Sequence, residues 1–120
     1  MSKIGSHFDR SEFKCKCGNC DFDTVDAQLI TLLEAVRNHF DAPVIINSAC
    51  RCRAHNSNIG GSPKSQHLYG RAADIVVKGH SPAEVQDVLE SFMKGWGGIG
   101  SYETFTHVDS RSNGPARWKG

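Results

Sequence analysis

The chain has 120 residues and no apolar run approaching the ~20 that a helix needs to cross a bilayer, which excludes a helical membrane span. Net charge is also nearly missing. With 14 basic residues against 13 acidic ones, there is no long-range field to gather nucleic acid or a membrane surface, and neither is expected as a partner. The first ten residues, Met1 to Arg10, lack the apolar core of a signal peptide, so synthesis in a cytoplasm is expected. Internal repeats and low-complexity segments are absent too. No serine sits in a nucleophile elbow with triad spacing, which argues against Ser65 as a nucleophile. Gly97-Gly98-Ile99-Gly100 lacks the spacing, the strand-to-helix context and the lysine of a phosphate-binding loop. What remains is the size of one domain, residues 1–120, with a single core, taken as a monomer.

The apolar pattern supplies a scaffold. Leu29, Leu33, Val36 and Phe40 fall at helical spacing between Thr24 and Phe40, with Asp23 or Thr24 as cap and Pro43 closing the region. Val44 to Asn47 reads as a strand. A loop follows from Arg53 to Lys64, rich in Asn, Gly and Pro. Ser81-Pro82-Ala83-Glu84 is a capping box with proline in the first helical position, and it starts a helix that runs to about Lys94, with Val85, Val88, Leu89 and Phe92 as its core face. The glycines of 97–100 lead into the last strands and permit close backbone approach near a site. Together these elements give an α+β fold: a small, mainly antiparallel sheet with two main helices on one side.

Three residues on this scaffold carry chemistry. His67 and Asp74 lie in Ser65-Gln66-His67-Leu68-Tyr69-Gly70-Arg71-Ala72-Ala73-Asp74, and His107 lies in Thr106-His107-Val108-Asp109. Two neutral imidazoles and a carboxylate hold zinc while leaving a fourth position for water, the mark of a catalytic rather than a structural site. Seven extended residues would span roughly 23 Å, so the chain must fold back between His67 and Asp74. Gly70 is placed where such a reversal needs positive φ. Ala72 to Val77 then reads as a strand that mounts Asp74 rigidly. His107 and Asp109, two apart in an extended segment, leave the same face of their strand. His7, His39, His55 and His80 read as ordinary surface histidines.

Five cysteines stand apart from this set. Cys15, Cys17 and Cys20 form C-x-C-x2-C, and Cys50 and Cys52 form C-x-C. An odd number cannot all pair within one chain. A second, structural zinc, disulfides formed after release, and buried thiols are three readings that stand side by side.

The stretch Asn47 to Arg51, His55-Asn56, Gly60-Gly61, Ser65 to Asp74, His107 to Asp109 and Arg117-Trp118 resembles the zinc D-alanyl-D-alanine carboxypeptidase family. Its clan includes L-alanyl-D-glutamate endopeptidases of bacteriophage, the vancomycin-resistance dipeptidases and the hedgehog signalling domain. The resemblance runs from about Phe13 to Trp118. It implies zinc ligands at His67, Asp74 and His107, a substrate-orienting arginine at Arg51, and a peptidoglycan peptide as substrate. Zinc so held lowers the pKa of its bound water toward about 7, which supplies a nucleophile for peptide hydrolysis. The resemblance also fits a phage lysis enzyme acting on the cell wall after release.

Many relatives place a Glu three residues before the last zinc histidine, or a His two before it. Thr104 and Phe105 stand there instead. Asp109 is therefore the first choice for the proton carrier and Glu103 the second, with a role for Asp109 as hydrogen-bond partner of a ligand imidazole as the alternative. The scissile bond stays open between carboxypeptidase and endopeptidase, and a zinc-retaining, non-catalytic wall-binding module is the rival reading. A cysteine-based zinc interaction domain is a third.

Overall fold

The computed structural model describes residues 7–16, 25–49, 51–52, 56, 59, 65–112 and 115–120. Within them, β1 (Val44–Ser48), β2 (Ala72–Val77), β3 (Gly98–Ser101), β4 (Thr106–Asp109) and β5 (Ala116–Lys119) form one sheet in the order β1-β2-β4-β3-β5. All neighbours are antiparallel except β3 and β5, which run parallel. The helices are α1 (Ala27–Phe40) and α2 (Pro82–Phe92). The expected α+β architecture is present, with the strand at Val44 extended by one residue to Ser48.

Strand alternation gives the sheet two unlike faces. On one, Ala73, Ile75 and Val77 of β2, Val108 of β4 and Ile99 of β3 join Leu29, Leu33 and Val36 of α1 and Val85 and Leu89 of α2 in the core. Each such fully buried aliphatic side chain contributes about 1.5–3 kcal/mol of apolar burial. The other face carries Asp74, His107, Asp109 and Trp118, with Gly98 and Gly100 between them. Register puts Asp74 opposite His107 and Gly98 opposite Asp109.

The helix signals hold, with two adjustments. At α2, Ser81 accepts from the Glu84 amide and Glu84 accepts from the Ser81 amide, a complete capping box. Its core row, however, runs Val85, Leu89, Met93 at i+4 spacing, and Phe92 is 37% exposed with its ring against His39. Met93 leaves helical geometry (φ −118°, ψ 37°), so the helix ends at Phe92, two residues before Lys94. At α1, Thr24 and Asp23 lie outside the described residues. Asp26 holds the N-cap position without capping, because its carboxylate accepts instead from the Ser110 hydroxyl at 2.8 Å.

Arg117 fastens β5 to the helix layer. Its guanidinium donates to the carbonyls of Met93, Trp96 and Gly97 and pairs with Glu90 at 2.7 Å. Carbonyls just past a helix end lack intrahelical partners, and this side chain supplies them.

Candidate metal centre

Gly70 makes the turn that brings His67 back to Asp74. It takes φ 68°, its amide donates to His67 O, and it closes a four-residue 3-10 turn, Gln66–Tyr69. The Ser65 hydroxyl accepts from the His67 amide at the head of that turn, which gives Ser65 a folding role. Asp74 then emerges from the middle of β2, and His107 stands beside it on β4.

His67, Asp74 and His107 are 2%, 8% and 7% exposed, and one donor atom from each lies within 4.8 Å of the others. Each imidazole is oriented through the nitrogen that faces away from the cluster. His67 Nδ1 meets the Ala49 carbonyl at 2.6 Å, and His107 Nε2 meets Asp109 Oδ2 at 2.7 Å. That turns His67 Nε2 and His107 Nδ1 toward Asp74 Oδ1, at 3.4 and 3.1 Å. Zinc bonds of about 2.0–2.1 Å set the edges of a coordination tetrahedron at roughly 3.3 Å, so the two imidazole–Asp74 separations match what zinc requires. The donor set fits the metal.

Burial pushes the Asp74 carboxyl upward, but hydrogen bonds from His107 and then His67 outweigh it and hold the group well below the usual carboxylate range. It is ionised, as a ligand must be. For His107 burial works against the charge, and the contacts with Asp109 and Asp74 prevail, raising its pKa.

Asp109 is fully buried, directly behind His107. One oxygen meets His107, the Arg111 guanidinium reaches both oxygens at 2.8 and 2.7 Å, and the Arg111 amide donates at 3.1 Å. Burial raises this carboxyl too, yet Arg111 and then His107 hold it well below its ordinary value. Space for it comes from Gly98, where a Cβ would stand 2.6 Å from the Asp109 carboxyl carbon. Glu103 is exposed on the β3–β4 turn.

Arg51 reaches the cluster from the segment after β1. Its amide donates to His67 O, and its guanidinium nitrogens donate to Ser48 Oγ at 3.3 Å, Asn56 Oδ1 at 3.1 Å and Asp74 Oδ2 at 3.4 Å. Sequence reasoning missed three neighbours. Arg111 was signalled by its two-residue spacing from Asp109. Trp118 packs on His107 with centroids 4.8 Å apart and lies under Arg111 at 5.3 Å. Tyr102 accepts from Trp118 Nε1 at 3.0 Å. A Cβ at Gly100 would stand 2.7 Å from the Trp118 indole, so that glycine makes room for the ring.

The other described histidines make contacts outside this cluster. His7 pairs with Glu34, His80 with Glu84, and His39 packs on Phe40; His55 lies outside the described residues. Among the described residues His67, Asp74 and His107 are the group able to hold a metal ion. Cys15 is buried, and its sulfur accepts from the Cys52 amide at 3.3 Å, tying the N-terminal segment to the strand end that bears Arg51. Cys17, Cys20 and Cys50 lie outside the described residues.

Comparison with known proteins adds two findings. The family model for Peptidase M15 matches residues 6–109. A 50-residue stretch, 39% of this chain, is 42% identical to the zinc D-Ala-D-Ala carboxypeptidase of Streptomyces albus G and spans 20% of that protein's length.

Proposed function

The chain belongs to the peptidase M15 family, and from that premise we propose that it is a zinc-dependent peptidase that cleaves peptidoglycan stem peptides, in the manner of a D-Ala-D-Ala carboxypeptidase. The observation that carries this reading is the convergence of His67 Nε2 and His107 Nδ1 on Asp74 Oδ1, within 4.8 Å of one another, with each imidazole fixed from behind. Bound zinc would supply Lewis acidity and an activated water.

The chain's own residues divide the other tasks. His67, Asp74 and His107 hold the ion. Asp109 positions His107: a carboxylate held well below its ordinary pKa, with His107 on one oxygen and Arg111 on both, is a poor proton acceptor near neutral pH and a strong anchor for an imidazole. Arg51 holds Asp74 from its outer oxygen and presents a cation beside the ion, suited to a peptide carboxylate. Its setting, in this reading, is wall turnover or phage-mediated lysis, with the domain acting as a monomer.

Purified, zinc-loaded protein incubated with a stem peptide ending in D-Ala-D-Ala should release D-alanine, and chelator or His67→Ala should abolish the release. Release of an internal fragment instead assigns an L-Ala-D-Glu type endopeptidase. One observation favours a non-catalytic, zinc-retaining wall-binding module: Asp109 is fully engaged and Glu103 is exposed on a turn. Peptidoglycan binding by metal-loaded protein, with no product by mass analysis, would decide for that module.

A further inference from the structure

An aromatic wall stands beside the metal ligands on the open face of the sheet. Trp118 rests on the ring of His107, and its indole N–H is held by the hydroxyl of Tyr102. Tyr102 in turn stacks on Phe105, with centroids 4.4 Å apart and planes 11° from parallel. Behind the phenol, Gly120 lies so close that a Cβ there would overlap the ring, and the Gly120 amide is fixed to Ser101 O at 2.8 Å. Tyr102 is thereby tied through Trp118 to His107, a metal ligand.

The hydrogen-bond inventory gives this hydroxyl a direction. A phenol carries one proton and accepts through its lone pairs. The contact with Trp118 uses an acceptor lone pair, which leaves the proton for another group. The ring is half-buried and clamped on both faces, so the O–H keeps its place without first being ordered.

Peptide hydrolysis needs a donor where the carbonyl oxygen gains charge. Arg51 spends three of its five N–H groups on Ser48, Asn56 and Asp74, which ties it to a metal ligand, and Arg111 is bound to Asp109 behind His107. Tyr102 is a neutral donor held beside the same cluster through Trp118. We propose that Tyr102 is a catalytic residue whose O–H donates to the scissile carbonyl oxygen as that oxygen becomes an oxyanion. The proton stays on tyrosine, no bond to tyrosine forms, and the hydrogen bond strengthens as charge develops. The inference rests on the peptidase reading above.

The test is Tyr102→Phe in the full, zinc-loaded chain, with the stem peptide that the unmutated protein cleaves. We expect kcat to fall about 10- to 100-fold, somewhat less than removal of a charged-site oxyanion donor, with KM within about threefold. Zinc content and melting temperature should not move. A phosphinate isostere of the cleaved bond, which mimics the tetrahedral state, should lose affinity by the same factor as kcat. An unchanged kcat overturns the proposal, as does a fall in kcat that leaves phosphinate affinity intact, since that is the mark of a packing role. Turnover in the unmutated protein with no effect in the variant removes Tyr102 alone. No turnover in either removes the peptidase reading and this inference with it.

Discussion

Replacing Asp109 with asparagine keeps the volume of a side chain that is 0% exposed and removes only its charge. Four contacts of 2.7 to 3.1 Å depend on that charge: one from His107 Nε2, two from the Arg111 guanidinium and one from the Arg111 amide. Asparagine offers one acceptor oxygen where the carboxylate offers two, so Arg111, which contacts both, faces the amide NH2 in either orientation, and His107 faces it in one of them. Losing one partner of a buried ion pair costs about 3–5 kcal/mol, but Arg111 is 21% exposed and water compensates it in part. About 1–3 kcal/mol of metal-free stability is the expected loss. At the metal, an altered partner behind a ligand imidazole weakens affinity about 10- to 100-fold, equivalent to roughly 1.4–2.7 kcal/mol. Thermal unfolding of the chelated protein reads the first quantity, and competition with a zinc-binding dye reads the second. Full zinc affinity combined with complete loss of turnover would refute the reasoning, because it would make Asp109 the proton carrier and not the anchor of His107.

Two further predictions follow from the same geometry. Gly98→Ala places a methyl group against the Asp109 carboxylate, whose surroundings are fixed by Arg111 and His107; overpacking of this kind costs about 1–3 kcal/mol, a melting temperature lower by roughly 4–8 °C per kcal/mol, with weaker zinc binding alongside. Gly79→Ala, at φ 83° but with no neighbour within 4 Å, should lower stability and leave zinc binding alone, and equal zinc affinities for the two variants would count against the steric account. Zinc affinity should also depend on pH with a definite sign, since an imidazole must be neutral to bind metal. The raised pKa of His107 in the metal-free protein means that protons compete from a pH above the ordinary histidine value of about 6.5, and Asp109→Asn removes one cause of the rise, moving the onset downward. Zinc competition measured between about pH 5 and 8 in both proteins checks the direction of that shift.

Much of this was written locally in the chain. The capping box at Ser81, the positive φ at Gly70 and the strand that mounts Asp74 depend on residues a few positions apart, and local sequence identifies them. The pairing of His107 and Asp109 on one face follows from strand alternation alone. Long-range contacts were not legible. Which nitrogen of His67 faces the cluster is set by the carbonyl of Ala49, eighteen positions away. Trp118 reaches His107 only because β5 runs parallel to β3, a pairing that no spacing rule reveals. Phe92 was misplaced for a different reason: apolar character marks a side chain as fit for the core, but where α2 ends decides whether Phe92 or Met93 enters it.

Strand β5 has a mechanical consequence. Its pleat sends Arg117 to the carbonyls beyond α2 and the next residue, Trp118, to the ring of His107 on the opposite face. Adjacent residues of one strand therefore carry a contact with the helix layer and a contact with a metal ligand, and the ladder with β3 fixes the register of both. The helix layer, remote from the metal face, thereby has a grip on one of the ligands.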